Sequence, residues 1–188
     1  PDSSTETFFG PQYFPVGKSL LKALDLPRPV NSKSIIVSMG GYDNSRTTDK
    51  VIKALKGFDN FQKEIILGPG FDIDDNFKNL MNSLDGSFEF HKNVSDLPQR
   101  IRKSKFLINA GGNTVYEATI LGVPVLVIGE IDFEVEQGRA FAQAGMAVNI
   151  ESGKDCCVQD IKTGIDKVIA GEFRFDSLQS VKFMYEYI

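Results

Sequence analysis

The sequence predicts an α/β protein: a three-layer, Rossmann-like sandwich built on a parallel sheet of about six strands. Short apolar runs alternate with stretches at helical spacing over most of the 188 residues. The runs are apolar in succession rather than at alternate positions, which is typical of strands covered on both faces of a parallel sheet. A helical stretch follows each run, as crossover connections between parallel strands require.

Each predicted strand is an apolar run closed by a turn. The first run ends at Ser38 before a glycine-rich turn, and the second ends at Leu67 before Gly68-Pro-Gly70. Such turn residues end a strand because glycine adopts backbone angles that other residues avoid and proline cannot donate a backbone hydrogen bond. The predicted strands cover residues 34–38, 64–67, 87–90, 105–109, 124–128 and 146–149.

The predicted helices have one apolar side and residues that favour helix ends. Val51, Ile52 and Leu55 share one side of the second helix. We expect Asp72 or Asp74 to cap the third helix and Ser95 to cap the fourth, while glycines end later ones. The predicted helices cover residues 18–24, 47–55, 74–84, 95–103, 114–121, 135–144 and 158–169.

Three segments are expected along the chain. Residues 1–32 are typical of a linker with one short helix, residues 33–172 form the nucleotide-binding Rossmann-like domain, and residues 173–188 form an aromatic-rich C-terminal segment. The chain begins at Pro1, so we expect a segment of a longer protein. The net charge of −4 argues against nucleic acid as a partner. No apolar run is long enough to span a bilayer, and we expect a cytoplasmic location.

Cysteine and histidine are scarce. Cys156 and Cys157 are adjacent, and no Cys-x-x-Cys or histidine-rich cluster accompanies them, so we expect no metal and no other cofactor. A reducing compartment fits this usage. His91, the single histidine, follows a predicted strand; a structural role is favoured there, and a general base on this chain would have to be this residue.

Two glycine-rich turns follow predicted strands, where ligands bind in open parallel sheets. In the first, Gly40 and Gly41 let the backbone approach an anion, and the next helix would offer free N–H groups. The alternative is a tight strand-to-helix turn without a ligand. In the second, residues 109–117, Gly111 and Gly112 would expose amides at a helix start.

The residues after the second turn extend the same interpretation. Asn113 and Thr114 add amide and hydroxyl groups suited to phosphate oxygens, and Glu117 suits the paired hydroxyls of a ribose. A glutamate favoured by the helix dipole is the alternative for Glu117. Two such turns in one chain favour a nucleotide. The fingerprints Gly-x-Gly-x-x-Gly, Gly-x-x-x-x-Gly-Lys-Ser/Thr and Gly-x-Ser-x-Gly are missing, which disfavours dinucleotide, P-loop and α/β-hydrolase sites.

Residues 111–124, Gly-Gly-Asn-Thr-Val-Tyr-Glu-Ala-Thr-Ile-Leu-Gly-Val-Pro, together with residues 38–43, resemble the C-terminal domain of GT-B enzymes. The branch they resemble most is the UDP-sugar hydrolase of the pseudaminic acid pathway and its spore-coat polysaccharide relatives. The UDP-N-acetylglucosamine transferase of peptidoglycan synthesis is a more distant likeness. Residues 9–14 are similar to the segment entering that domain, and the likeness extends over residues 8 to about 170.

The resemblance implies one half of a GT-B fold that binds UDP or a UDP-sugar without a metal. The first turn would lie beneath the diphosphate, the second would hold the phosphates and stabilise the leaving group, the loop after the third strand would hold uracil, and a glutamate would hold the ribose. The residues implied, in chain order, are Gly40, Gly41, Asn93, Val94, Gly111, Gly112, Asn113, Thr114 and Glu117.

One segment departs from the family pattern. Residues 132–139 align with a stretch reading roughly Asp-Asn-Gln-x-x-Asn-Ala-Arg, whose amide meets sugar hydroxyls, and Phe133 and Glu134 stand where the family has Asn-Gln. The resemblance gives Asp132 and Glu134 as the sugar-contacting residues. An acid beside a diphosphate is unfavourable unless a base pairs with it. The alternative for Glu134 is a solvated or capping acid at the helix start.

The expected function is the UDP-sugar-binding domain of a glycosyltransferase or UDP-sugar hydrolase in surface polysaccharide or glycan biosynthesis. Its catalytic residues would lie on an N-terminal GT-B domain, in the same protein or a partner subunit, which would also provide any peripheral membrane association. We therefore expect no turnover by this chain alone. The alternative is a non-catalytic nucleotide-binding module or partner subunit, which Glu134 favours. A receiver-type signalling domain would need clustered acids after the first strand, where only Asp43 stands.

Overall fold

The computed structural model describes residues 13–172, and these form a parallel sheet with helices on both faces. The strands are β1 (Ser34–Ser38), β2 (Gln62–Leu67), β3 (Phe88–Lys92), β4 (Phe106–Asn109), β5 (Val125–Gly129) and β6 (Ala147–Ser152). The helices are α1 (Lys18–Leu24), α2 (Thr47–Leu55), α3 (Asp75–Asn82), α4 (Leu97–Lys103), α5 (Asn113–Ile120), α6 (Asp132–Gln143) and α7 (Val158–Ala170). The predicted linker up to residue 12 and the aromatic-rich segment 173–188 lie outside the described residues.

The six strands are all parallel and lie in the order β3-β2-β1-β4-β5-β6. The chain builds outward from β1 to β3, then crosses back and builds outward from β4 to β6. This order is that of a doubly wound Rossmann-like sheet, so the predicted fold class is confirmed. The point where the direction reverses lies between β1 and β4.

Two apolar cores cover the two faces of the sheet. Successive residues of β1 alternate between them: Ile35 and Val37 face the core formed with α2, α3 and α7, and Ile36 faces the core formed with α1, α4, α5 and α6. All three side chains are fully buried. Burial of such a side chain contributes about 1.5–3 kcal/mol relative to exposure, which explains why strands of this sheet are apolar in succession.

The predicted elements are all present, and several ends differ. Helix α6 begins at Asp132, three residues before the predicted start at residue 135. Its first turn holds Asp132 and Glu134, which the positive end of the helix dipole favours, and Glu134 also accepts a hydrogen bond from the N–H of Glu130 at 3.0 Å. The polar segment predicted as a loop is therefore the first turn of a helix.

Two predictions of helix caps have opposite outcomes. The carboxylate of Asp74 caps α3 by accepting a hydrogen bond from the N–H of Phe77 at 2.7 Å, as one of the two alternatives predicted. Ser95 does not cap α4: the cap position is Asp96, whose carboxylate instead accepts from Nε of Arg100 at 2.8 Å. Pro98 fits at the start of α4 because the first N–H groups of a helix have no helical acceptor.

Strand β2 begins two residues earlier than predicted and contains a buried lysine. The side chain of Lys63 is fully buried, with Nζ 2.8 Å from Oγ of Ser87 and 4.8 Å from the centre of the Phe88 ring. The sequence pattern did not predict this start of the strand, because a lysine is seldom buried. Its ammonium is accommodated here by tertiary contacts, which the pattern does not reveal. Between residues 13 and 172, no helix has the length and apolar character needed to cross a membrane.

Candidate functional site

The candidate site lies where the order of the sheet reverses. Parallel strands leave a crevice beyond their carboxyl ends at such a point, because the loops after β1 and β4 run to opposite faces. Both predicted glycine turns follow these two strands: Gly40 and Gly41 come after β1, and Gly111 and Gly112 come after β4. The fold therefore brings the two turns together, although about 70 residues separate them in sequence.

The side chain of Asn109 connects the two turns. Its Nδ2 donates to the carbonyl of Ser38 at 2.6 Å, and its Oδ1 accepts from the N–H of Gly111 at 2.8 Å. Asn109 is 2% exposed, so both contacts are shielded from water. The N–H of Gly111 is consequently occupied, and the expectation that this amide is open to a ligand is wrong.

A cavity of about 250 Å³ adjoins both turns. It is bounded by the loop after β1, the loop after β2, the loop after β3 and the start of α5. Five of the residues implied by the family resemblance line it together: Gly40, Gly41, Asn93, Val94 and Thr114. In the sequence these residues lie in three separate segments.

The N-terminus of α5 is open towards a ligand. Gly112 occupies its cap position with no side-chain cap, and among residues 13–172 the N–H groups of Asn113 and Thr114 have no acceptor. Three amides, those of residues 112–114, are therefore available at the positive end of the helix dipole. Such an arrangement binds phosphate groups well.

Two of the glycines are not required by the fold. A Cβ at Gly41 would have no atom within 4 Å, and one at Gly112 would have only Oε1 of Glu134 at 3.8 Å, an ordinary contact. Neither residue has the positive φ that favours glycine, whereas Gly40, at φ +89°, does. Gly41 and Gly112 thus keep space open in front of the backbone, where a ligand can approach.

The N-terminus of α2 is closed, in contrast to that of α5. The carboxylate of Asp43 accepts hydrogen bonds from the N–H groups of Thr47 at 2.8 Å and Thr48 at 2.7 Å, and Asp43 is 8% exposed. The expectation that this helix offers free N–H groups is therefore wrong. The first turn instead packs on the loop after β2: the N–H of Gly70 donates to the carbonyl of Gly41 at 2.9 Å.

Gln137 of α6 supports the second turn and was missed from the sequence. Its Nε2 donates to the carbonyl of Gly111 and, at 3.2 Å, to that of Gly112, and its Oε1 accepts from the hydroxyl of Tyr116 at 3.4 Å. Gln137 is 9% exposed. The available signal was a glutamine on the core-facing side of an amphipathic helix.

Glu117 lies one turn further along α5 than Thr114. It is half-buried, and this burial raises the pKa of its carboxyl group. It does not line the 250 Å³ cavity. Glu117 lies on the same face of α5 as Asn113, which is four residues earlier and exposed.

A second cavity, of about 320 Å³, shares Gly40 and Gly41 with the first. Its charged lining residues are Glu130, Glu134 and Lys154. Glu130 is held by the N–H of Ser45 at 3.3 Å and by the hydroxyl of Thr47. Burial raises the pKa of the Glu134 carboxyl, while hydrogen bonds from the N–H groups of Glu130 and Ile131 oppose this in part.

Asp132 does not line either of these two cavities. It is exposed and borders a separate depression between α6 and the β6–α7 loop. The two acids that the resemblance groups as sugar-contacting residues thus line different hollows: Glu134 lines the 320 Å³ cavity, and Asp132 borders an adjoining depression that shares Glu130 and Lys154 with it.

His91 lies outside both cavities. Its Nε2 is 3.3 Å from Nη1 of Arg100 and 3.6 Å from Oε2 of Glu89, and Arg100 also pairs with Glu64 at 2.8 Å. The histidine thus belongs to a polar network between β2, β3 and α4, as the structural interpretation predicts.

The two cysteines differ in environment. Cys156 is buried, which raises the pKa of its thiol, whereas Cys157 is exposed at the start of α7, with its N–H donating to Asp160 at 2.8 Å. Over the described part of the chain, no group of three or more His, Cys, Asp or Glu side chains is placed to hold a metal ion.

Comparisons with known proteins give distant likenesses. No protein-family model matches the chain. An uncharacterized protein of Methanocaldococcus jannaschii is 28% identical over 142 residues, which is 72% of this chain and 29% of that protein. Spore coat polysaccharide biosynthesis protein SpsG of Bacillus subtilis is 21% identical over 155 residues, 80% of this chain and 45% of that protein. The chain thus spans less than half of either relative.

A solved structure extends the comparison to the fold. Spinosyn rhamnosyltransferase SpnG complexed with thymidine diphosphate superposes with a TM-score of 0.65 at 18% identity. The match covers 85% of this chain and 42% of that one. The chain has the α/β fold of one Rossmann-like half of a GT-B glycosyltransferase.

Proposed function

We propose that this chain is the nucleotide-binding half of an enzyme that uses a UDP-sugar, either a glycosyltransferase or a UDP-sugar hydrolase. The observation that carries the proposal is the open N-terminus of α5, with free amides at residues 112–114 and with Thr114 lining a cavity at the reversal point of the sheet. This combination provides an anion site with space beside it for the rest of a nucleotide.

The relatives support a role in sugar transfer. SpsG is named for spore coat polysaccharide biosynthesis, and SpnG is a rhamnosyltransferase whose structure holds thymidine diphosphate. We propose a nucleoside diphosphate sugar for this chain as well, in surface polysaccharide or glycan biosynthesis. Since the chain matches only 42% of SpnG, a second domain or a partner subunit would carry the acceptor and the general base.

The ligand would lie across the crevice with its diphosphate at the start of α5 and its base at the loop after β3. The amides of residues 112–114 and the hydroxyl of Thr114 would hold the diphosphate, and Gly41 would let it approach the backbone. The base would lie against Asn93 and Val94, in the cavity between the loops after β2 and β3. Glu117 would accept hydrogen bonds from ribose hydroxyls, as a half-buried carboxylate without a partner among the described residues.

The chemical role that follows is stabilisation of the leaving group. When the bond between the sugar and the diphosphate breaks, negative charge develops on the departing phosphate oxygen. Fixed N–H groups at a helix start and the Thr114 hydroxyl donate hydrogen bonds to that charge, and they are in place before the reaction begins. The proposed half of the site therefore accelerates departure of the diphosphate and leaves activation of the attacking group to the other half.

The experiment is titration of UDP into the 188-residue chain by calorimetry, for the wild type and for Thr114→Ala and Gly112→Ala. Thr114→Ala should weaken UDP binding by about tenfold, because a hydrogen bond to a charged group is worth roughly 1.5–3 kcal/mol and 1.4 kcal/mol is a factor of ten. Gly112→Ala should weaken it as well, because its Cβ would occupy the space in front of the backbone that the diphosphate needs. Gly86→Ala is the matched control, since its Cβ would point into open space.

If both variants bind UDP with the affinity of the wild type, the diphosphate must lie elsewhere. A complete lack of UDP binding at millimolar concentration would refute the nucleotide proposal for this chain.

A non-catalytic nucleotide-binding module or partner subunit is the second candidate. The observation in its favour is the carboxylate of Glu134 beside the glycine turn, where a charge would oppose a sugar diphosphate unless it were paired. The two candidates differ in the same titration. UDP-sugars that bind no more tightly than UDP itself would favour the module.

A further inference from the structure

The second cavity extends the candidate site away from the base. It shares Gly40 and Gly41 with the first cavity and reaches the end of β5 and the start of α6. A ligand with its diphosphate at the start of α5 and its base near Asn93 has its other end on this side. The cavity of about 320 Å³ lies on the side where the sugar of such a ligand would be.

Glu134 lines this cavity and lies against the second glycine turn. A Cβ on Gly111 would be 2.9 Å from the carbonyl oxygen and 3.4 Å from Cβ of Glu134, and a Cβ on Gly112 would be 3.8 Å from Oε1. The carboxylate is half-buried and accepts the N–H of Glu130 at 3.0 Å. Across residues 13–172, no basic side chain forms an ion pair with it.

The other charges of the cavity do not neutralise Glu134. Glu130 carries the same sign and is engaged by Ser45 and Thr47. Lys154 is exposed on the loop between β6 and α7, where water screens its charge, and it borders the neighbouring depression as well. A diphosphate at the second turn would place further negative charge beside the half-buried carboxylate, and a positive group between them would relieve the repulsion.

We propose that this cavity holds the sugar of the donor and that Glu134 selects a sugar with a free ammonium group. The inference rests on the proposed function, because it places the diphosphate at the start of α5. An ammonium is a donor only, and it matches a carboxylate that has oxygen lone pairs to offer and no basic partner. A neutral hydroxyl or acetamido group in the same place leaves the two negative groups facing each other.

The test is calorimetric titration, near neutral pH, of the chain with UDP, UDP-glucose and UDP-sugars that carry a free amine at carbon 2 or at carbon 4. At least one amino sugar should bind about tenfold more tightly than UDP-glucose, the value of one charge-assisted hydrogen bond. Glu134→Gln should abolish that preference and strengthen binding of UDP itself. Glu136→Gln, an exposed acid on the same helix outside both cavities, should retain the preference.

The outcomes separate the two proposals. If UDP and UDP-glucose bind and neither amino sugar gains affinity, the inference is wrong and the proposed function stands. A preference for amino sugars that persists in Glu134→Gln also overturns the inference, since another group would then bind the amine. Uptake of a proton on binding UDP-glucose, lost in Glu134→Gln and without any amino-sugar preference, would show that a proton replaces the ammonium. If no UDP ligand binds, both proposals fail.

Discussion

Asn109 shows how one buried side chain can position a site without contacting a ligand. Its amide links the carbonyl at the end of β1 to the N–H of Gly111 after β4, so the two turns cannot move independently. By occupying that one amide, it also leaves the following three as the donors at the helix start. Asn109 is therefore a positioning residue for the proposed phosphate site.

Asn109→Ala should lower the free energy of unfolding by about 1–3 kcal/mol, because it leaves a buried carbonyl and a buried N–H without partners. Urea denaturation measures this, with the exposed Asn82→Ala as control. UDP binding should weaken as well, and Asn109→Asp, which keeps the acceptor for Gly111 and loses the donor to Ser38, should restore part of it. Unfolding at wild-type denaturant concentration, together with unaltered UDP binding, would contradict the positioning role.

Lys63 gives a pH dependence whose sign follows from its burial. Burial lowers the pKa of its ammonium below the ordinary value of 10.5, and the charges of Asp85 and Asp59 oppose this only in part. Between the lowered pKa and 10.5 the unfolded chain binds more protons, so the free energy of unfolding rises with pH there. Below that window the charged lysine carries its full burial cost.

Lys63→Met should remove this alkaline rise and, at neutral pH, keep the stability of the wild type or raise it by about 1 kcal/mol. Urea denaturation at neutral and at alkaline pH measures both effects. The exposed Lys53→Met should retain the rise. A large loss of stability in Lys63→Met at neutral pH would mean that the contact with Ser87 outweighs the cost of burying the charge.

Among the helices, the clearest contrast is between the starts of α2 and α5. Both follow glycine turns at the same edge of the sheet, yet a carboxylate already occupies one and no side chain caps the other. An anion gains no free donors at α2 and meets the negative charge of Asp43 there. The phosphates are therefore expected at α5, which also fixes the direction of the ligand across the crevice.

Helix α2 also holds the loop between β6 and α7 through Lys50. Its ammonium donates to the carbonyls of Gly153 at 2.7 Å, Lys154 at 3.1 Å and Cys156 at 3.0 Å. The thiol of Cys156 is a further, weaker donor to the carbonyl of Gly153, at 3.6 Å. The lysine thus fixes one border of the second cavity.

Lys50→Met should free this loop and lower the free energy of unfolding by roughly 1–3 kcal/mol, the cost of three carbonyls losing a charged donor where the loop is partly buried. Hydrogen exchange of the amides between residues 152 and 157 should accelerate, while that of β1 should not. Lys53→Met, one turn later and exposed, is the control. Unchanged exchange in the loop would show that its backbone is held by other contacts.

For the molecule as a whole, the order of elements was predictable and the network that holds the site was not. Apolar runs and helical spacing predict every strand and helix. Strands that are buried on both faces are apolar in succession, and helices that pack on them have one apolar side. They fail at Lys63, whose buried ammonium has a tertiary contact with Ser87, and at the start of α6, where Glu134 accepts a local hydrogen bond from the N–H of Glu130. The neighbourhood of the two glycine turns was predictable from the rule on carboxyl ends of parallel strands.

The structure was needed to show which of the two glycine turns is open to an anion. The answer depends on Asp43 folding back onto α2 and on Asn109 selecting one amide, and both involve side-chain directions that residue types do not specify. Gln137 has the same character: a glutamine on a helix carries no information about which carbonyls it will meet. The sequence allowed candidate site residues in the loops to be named, but not the residues that fix those loops.

The tethers made by Asn109, Gln137 and Lys50 have a consequence for how fast a ligand is captured. Loops that are ordered beforehand lose little conformational entropy on binding, so less of the interaction free energy is cancelled. Association then needs no slow rearrangement of this half of the crevice and is limited by diffusion and orientation. Differences in affinity between nucleotide-sugar donors would accordingly appear in their dissociation rates.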